Sequence, residues 1–192
     1  AFAKVTHAAR QWSFDNVFTK EELHEWTQRV ARGLELADST LLSYVAEHKI
    51  DGLKIVLTYE AGKLVRAATR GNGVQGEDVT HTARTIKTIP HQLTEAVDLV
   101  CVGEVWLAEA ELARINKERA KAEEPLFANP RNAAAGALRQ LDPEVARSRN
   151  LSLYAYDIDV LTARQAKLVV PTTQAEELVL LKQLGLPVNP HY

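Results

Sequence analysis

From Leu53 the chain reads LKIVLTYEAGKLVRAAT, the stretch that most narrows what it can fold into. Two runs rich in β-branched and aliphatic residues, Leu53 to Tyr59 and Lys63 to Thr69, meet at Ala61-Gly62, and this pattern predicts a β-hairpin. Further strands are expected over Leu41 to Asp51, Val97 to Trp106 and Leu151 to Leu161. Between them lie helix signals of a different period. Thr19-Lys20-Glu21-Glu22 is a capping box opening a helix with Leu23, Trp26, Val30 and Leu34 on one side. Asp78 to Thr85 predicts a short helix that stops before Pro90, and Ala108 to Ala122 a polar one. Asn129-Pro130 has the form of an N-cap followed by proline at the first helical position, leading into RNAAAGALRQL. A second capping box, Thr173-Gln174-Ala175-Glu176, starts a helix expected to end at Gly185. Paired strands with segregated helices predict an α+β fold with largely antiparallel sheets.

Composition narrows the functional classes. With 192 residues the chain has room for a proper core. Hydrophobic residues at 46% and charged residues at 25% are the balance of a soluble globular protein, not of a disordered one. No apolar run approaches the ~18 residues of a membrane span, and no signal-peptide pattern opens the chain. A single cysteine, Cys101, excludes an internal disulfide and a cysteine zinc site, and points to the cytoplasm. The net charge of -2 speaks against a uniformly basic coat but leaves room for a local basic face. The chain starts at Ala1 and contains no methionine, which reads as a piece of a longer polypeptide.

Lysine chemistry is suggested by Glu47-His48-Lys49-Ile50-Asp51-Gly52. In a strand alternate side chains share a face, so Glu47, Lys49 and Asp51 are expected on one side and His48 and Ile50 on the other. Gly52 marks a place where the backbone approaches something closely. A lysine is a nucleophile only when neutral, and with an ordinary pKa of about 10.4 few are neutral near pH 7. Flanking carboxylates work against that, but a divalent ion shared with Asp51 reverses the local balance. The pattern therefore suits attack on phosphorus with Mg²⁺ better than Schiff-base chemistry. It equally suits an exposed strand edge with loose salt bridges.

Longer stretches carry a resemblance. Lys49-Ile50-Asp51-Gly52 matches the KxDG motif of covalent nucleotidyltransferases, the polynucleotide ligases and RNA-capping enzymes. ATRGNGVQGEDVTHTARTI, VGEVWL, PLFANPRNAAAGALRQLDP and LGLPVNPHY, in that order, resemble the adenylation domain of bacterial NAD⁺-dependent DNA ligases. The likeness runs from about Phe2 to Tyr192. It implies the nucleotidyltransferase fold, with residues 1–192 forming an adenylation domain truncated on its C-terminal side. It also implies that the upstream nicotinamide-binding module and the later OB-fold, zinc, helix-hairpin-helix and BRCT regions lie outside this chain, together with two phosphate-contacting lysine motifs. On that basis the chain alone is expected neither to self-adenylate appreciably nor to ligate.

In the reaction this resemblance implies, Lys49 takes AMP from NAD⁺, passes it to the 5′-phosphate of a nick, and the strand is sealed during replication and repair. Glu47 resembles the residue that reads the adenine edge, Arg70 the arginine on ribose or phosphate oxygen, and Glu104 the acid on the ribose hydroxyls. Ser13 and Phe14, in WSFDN, resemble a segment contacting NAD⁺. Asp51 resembles the acidic partner of lysine and of Mg²⁺ or Mn²⁺. Zinc is expected only in a region outside the chain. Arg131 and Arg139, eight residues apart and within about 80° on a helix, resemble DNA-phosphate contacts. The expected partner is nicked double-stranded DNA, with no membrane, and the protein is expected to be a bacterial, nucleoid-associated monomer. His48, Asn72 and Trp12 depart from the family pattern: His48 is expected to pack or hydrogen-bond and not to act as a base, Trp12 to pack, and Asn72 replaces the aspartate of the more familiar RGDG. An ATP-dependent ligase or capping-type enzyme, and a nucleic-acid-binding module without catalysis, remain as alternatives.

Overall fold

A computed structural model describes residues 2–163 and 168–192. In chain order the elements are β1 (Lys4–Thr6), α1 (Lys20–Gly33), a 3₁₀ turn at Ser39–Leu41, β2 (Leu53–Glu60), β3 (Lys63–Thr69), β4 (Gln75–Glu77) and α2 (Thr80–Ala83). There follow β5 (Val97–Trp106), α3 (Glu109–Lys121), α4 (Pro130–Leu138), α5 (Pro143–Ser148), β6 (Ser152–Ala163) and α6 (Gln174–Gln183). The chain divides into two compact units, one of residues 1–11 and 47–192, the other of residues 12–46. Among the described residues no helix is long and apolar enough to cross a membrane.

The larger unit is built on a four-stranded sheet of order β3-β2-β5-β6, antiparallel throughout, and a small sheet pairs β1 with β4. The fold is thus α+β with antiparallel sheets, as the strand and helix patterns predict. The expected hairpin forms, with Ala61 and Gly62 both at positive φ, 48° and 77°, the twist that two-residue hairpin loops need. The N–H of Ala61 donates to Asp98 Oδ1 at 2.8 Å and that of Gly62 to Val97 O at 2.7 Å, so the loop is tied to β5.

Alternation divides the sheet chemically. Ile55, Leu57 and Tyr59 of β2 and Leu99, Cys101 and Val105 of β5 belong to the main apolar core, with Ala83 of α2, Ala134 and Leu138 of α4 and Leu181 of α6. Neighbouring positions in register, Lys54 with Glu104 and Val56 with Val102, face the other way. One side of the sheet is therefore sealed by helices and the other carries ionisable groups. Cys101 sits on the sealed side, fully buried, and burial pushes its thiol pKa up.

Both capping boxes form: Thr19 with Glu22 for α1, and Thr173 with Glu176 for α6. Asn129 caps α4 by accepting from Asn132 N at 2.8 Å, with Pro130 in the first turn. Beyond α6, Gly185 takes φ +91°, the left-handed position its place at the helix end requires. The strand expected over Leu41 to Asp51 does not form; after the 3₁₀ turn the chain runs irregularly to Gly52. Both flanks of β2 are occupied, by β3 and β5, so the segment entering it finds no strand edge with which to pair. Three elements are not evident from residue patterns: the three-residue strands β1 and β4, and α5, which starts at Pro143 with Asp142 as its cap.

The unit of residues 12–46 consists of α1, the 3₁₀ turn and their flanking chain. Within it Trp26 packs its ring against Tyr44, centroids 5.4 Å apart. Trp12 is 68% exposed and Phe14 67% exposed.

Candidate adenylate site at the mouth of the sheet

Without a strand over residues 47–51 the expected alternation fails. Glu47 and Ile50 are half-buried, whereas His48, Lys49 and Asp51 are exposed. Glu47, Lys49 and Asp51 therefore do not share a face as a pleat would arrange them. His48 does not lie opposite Lys49 in an interior; its exposed ring meets that of His191, centroids 5.5 Å apart. What fixes the Lys49 loop is Gly52. A Cβ there would stand 2.2 Å from the Val105 carbonyl oxygen and 2.9 Å from Glu104 Cγ. Only glycine lets the loop press onto the end of β5 and donate its N–H to the Glu104 carboxylate.

Glu104 is the buried member of the site, at 9% exposure. Burial raises its pKa, while Lys49, Arg131, the Gly52 N–H and Lys54 pull it back toward the ionised form. The charges of Lys49, from the loop, and of Arg131, from the first turn of α4, thus both act on this carboxylate. Arg131 also pairs with Asp51, Nη1 to Oδ1 at 3.3 Å. These four residues, from three separate parts of the sequence, converge at one end of β2 and β5.

Glu47 is held differently. Its Oε1 accepts from Gln174 Nε2 at 2.9 Å, and the same amide group donates to Tyr156 O at 2.7 Å. Burial raises the Glu47 pKa, the Gln174 bond lowers it and the charge of Asp157 raises it again. Burial pushes the Tyr156 pKa up, and the charges of Glu104, Asp157, Asp159 and Glu47 act in the same direction. Lys54, half-buried, has its pKa lowered by burial, against the pull of Asp157, Asp159 and Glu104, with Arg70 adding to the depression. Arg70 is partly buried and its Nε has no hydrogen-bond partner among the described residues. It begins a tight loop in which Asn72 Oδ1 accepts from Val74 N at 2.9 Å and Gln75 N at 2.8 Å. Asn72 therefore shapes the loop through an acceptor oxygen, which an aspartate would also supply.

Sequence patterns missed Tyr156, Asp157, Asp159, Lys54 and Gln174. The pairing of β6 with β5 shifts register twice, between Val100 and Cys101 and between Val102 and Gly103. Each shift inserts an extra residue in β6 and re-aims side chains, so simple alternation across YDID misleads. The available signal was compositional: two aspartates and a tyrosine inside a strand otherwise expected to be apolar.

Ser13 and Phe14 belong to the smaller unit, where both are exposed in irregular chain. Arg139 is the C-cap of α4, not part of the helix, and pairs through Nε with Glu77 at 3.1 Å. Arg131 and Arg139 thus hold different carboxylates, Asp51 and Glu77. Among the described residues no group of three or more His, Cys, Asp or Glu side chains could hold a metal ion. Mg²⁺ needs only one or two protein carboxylates when phosphate oxygens and waters complete its shell, and the exposed Asp51 beside Lys49 fits that requirement.

Known proteins resemble this sequence over nearly its whole length. It is 49% identical to a DNA ligase of Azorhizobium caulinodans over 193 residues, covering 98% of this chain and 25% of that protein. A DNA ligase of Methylobacterium nodulans is 48% identical, covering 98% of this chain and 23% of the relative. One from Exiguobacterium sibiricum is 46% identical, over 98% and 27% respectively. The chain thus spans about a quarter of the length of these relatives. Its residues 1–192 match the NAD-dependent DNA ligase adenylation domain throughout, and the chain belongs to that family.

Proposed function

We propose that this chain carries the adenylate-transfer centre of an NAD⁺-dependent DNA ligase, with Lys49 as nucleophile. The observation that supports this best is the pairing of Arg131 with Asp51, together with the charges of Lys49 and Arg131 acting on the largely buried Glu104. The neutral Lys49 amine attacks the adenylyl phosphorus of NAD⁺. A P–N bond forms, the bond to the nicotinamide mononucleotide phosphate breaks, that group leaves with the electron pair, and the nitrogen gives up one proton to solvent. AMP then passes to the 5′-phosphate of a nick, and the 3′-hydroxyl displaces it to close the strand.

The surrounding residues divide the nucleotide among them. Glu47, positioned by Gln174, reads the adenine edge, and the Tyr156 ring beside it packs on the base. Glu104 accepts from the ribose hydroxyls, a role that needs its ionised form and explains the value of Lys49, Arg131 and Lys54 around it. The unpartnered Arg70 Nε donates to a ribose or phosphate oxygen. Ser13 and Phe14 contact NAD⁺. A divalent ion, Mg²⁺ or Mn²⁺, held by Asp51 would neutralise charge developing on the phosphate oxygens. Arg131 and Arg139 bind backbone phosphates of nicked DNA, setting affinity without sequence preference.

Mass spectrometry of the full-length protein after incubation with NAD⁺ or with ATP tests the reading. One AMP should appear on the peptide containing Lys49 with NAD⁺ only, and Lys49→Ala should abolish it. Modification elsewhere, or equal labelling from ATP, overturns the assignment.

A further inference from the structure

A second cationic feature lies on the α2–α5 side of the larger unit. Arg84, Lys87, His91 and Arg147 line a surface concavity of about 460 Å³ whose lining includes no carboxylate. This concentration of positive charge occurs in a chain whose net charge is -2. The backbone imposes it. After α2 the chain turns tightly, with Ile86 and Ile89 each 2% exposed in the core, so Lys87 between them must point outward. Arg84 Nη2 donates to Leu64 O at 2.9 Å, and His91 Nε2 lies 2.8 Å from Arg84 O. That carbonyl can only accept, so Nε2 carries the proton. Arg147 comes from α5, pairing with Glu144 at 3.0 Å, and Lys87 has no ion pair among the described residues.

The concavity is also joined to Arg139. Thr82 Oγ1 of α2 donates to Leu138 O at 2.9 Å, and the ring nitrogen Nε2 of His81 lies 3.2 Å from Gln140 O. These two contacts tie the α4 end bearing Arg139 to the helix that leads into Arg84. A phosphate strand presents a negative charge about every 3.4 Å along the helix axis, a ladder that separated cations on one rigid surface can follow.

We infer that Arg84, Lys87, His91 and Arg147 form a second docking surface for the sugar-phosphate backbone of duplex DNA, away from the Lys49 centre. The inference rests on the DNA-binding reading above and extends its footprint. The surface reads charge and not sequence, and it holds the duplex flanking the nick.

Fluorescence anisotropy of the full-length protein on a nicked duplex, titrated with KCl, tests it. Lys87→Glu/Arg147→Gln leaves the bond from Arg84 to Leu64 intact, and its unfolding midpoint serves as the fold control. Affinity should fall on the order of tenfold, and the slope of log affinity against log salt should shrink by about 2. Arg84→Lys, which keeps charge but not the fork, should give a smaller loss. Unchanged affinity and slope in both variants, while Arg131→Gln/Arg139→Gln weakens binding, overturns this surface and leaves the DNA reading standing. No binding of nicked duplex by the unaltered protein defeats both. Lost competition by inorganic phosphate with an unchanged DNA slope assigns the concavity to a small anion and overturns the inference.

Discussion

Gly52→Ala tests how the fold sets the chemistry. The added Cβ would lie 2.2 Å from the Val105 carbonyl oxygen, about 1.2 Å short of the 3.4 Å at which ordinary contact begins. The obstacle is backbone in the middle strand pair of the sheet, where Leu53 pairs with Val105 and Lys54 with Glu104, so it cannot swing aside as a flexible side chain would. The Lys49 loop must lift instead, and the N–H bond from Gly52 to Glu104 must lengthen. Overpacking of this kind costs about 1–3 kcal/mol. For a chain of this size that corresponds to a fall in melting temperature of roughly 3–10 °C. A displacement near 1 Å at a reacting group can cost about 100-fold in rate. Differential scanning calorimetry and the rate of AMP transfer to Lys49 in the full-length protein give the two readings. Gly33→Ala is the companion substitution: a Cβ there meets nothing within 4 Å, and alanine favours the helix. It should leave stability unchanged or raise it slightly. A Gly52→Ala protein that melts within a degree of the parent and adenylates at the parent rate would refute the close-approach argument.

Two other outcomes follow from the same geometry. Glu104 has its pKa raised above the ordinary 4.5, so in the window just above that value the folded state holds more protons than the unfolded. Stability without nucleotide should therefore decline as pH rises through that window, and Glu47, Asp159 and Glu177 act in the same direction. Glu104→Gln should flatten the decline and exceed the parent in stability at neutral pH, as followed by urea unfolding at several pH values; parallel curves would count against it. Asn72→Ala removes the acceptor of two backbone N–H bonds and should cost about 1 kcal/mol, whereas Asn72→Asp should stay close to the parent in denaturant midpoint.

Residue patterns carried the regular elements because each was specified locally. Thr19 and Thr173 announced helix starts, Ala61-Gly62 the hairpin, and Asn129-Pro130 the entry to α4. Leu41 to Asp51 failed as a strand because strand formation depends on an available edge, and that is a property of the assembled sheet. Family likeness named Lys49, Glu104 and Arg131, but their meeting at the end of β2 and β5 depends on Gly52, whose contact partner lies on another strand. Gln174 was invisible for a similar reason. It bonds Glu47, 127 residues away in sequence, as well as Tyr156, and no local pattern encodes such a bridge. The two register shifts in β6 hid Tyr156, Asp157 and Asp159 by breaking the very periodicity used to sort faces.

Cys101 has a practical use that its chemistry does not suggest. It is the sole thiol in 192 residues, sits at zero exposure on the inner strand β5, and is held in its unreactive protonated form. A maleimide or disulfide reagent will therefore stay silent on the folded chain and label it only when the helical layer over β5 opens. The labelling half-life, read without any engineered tag, becomes a clock for rupture of the scaffold beneath the Lys49 loop.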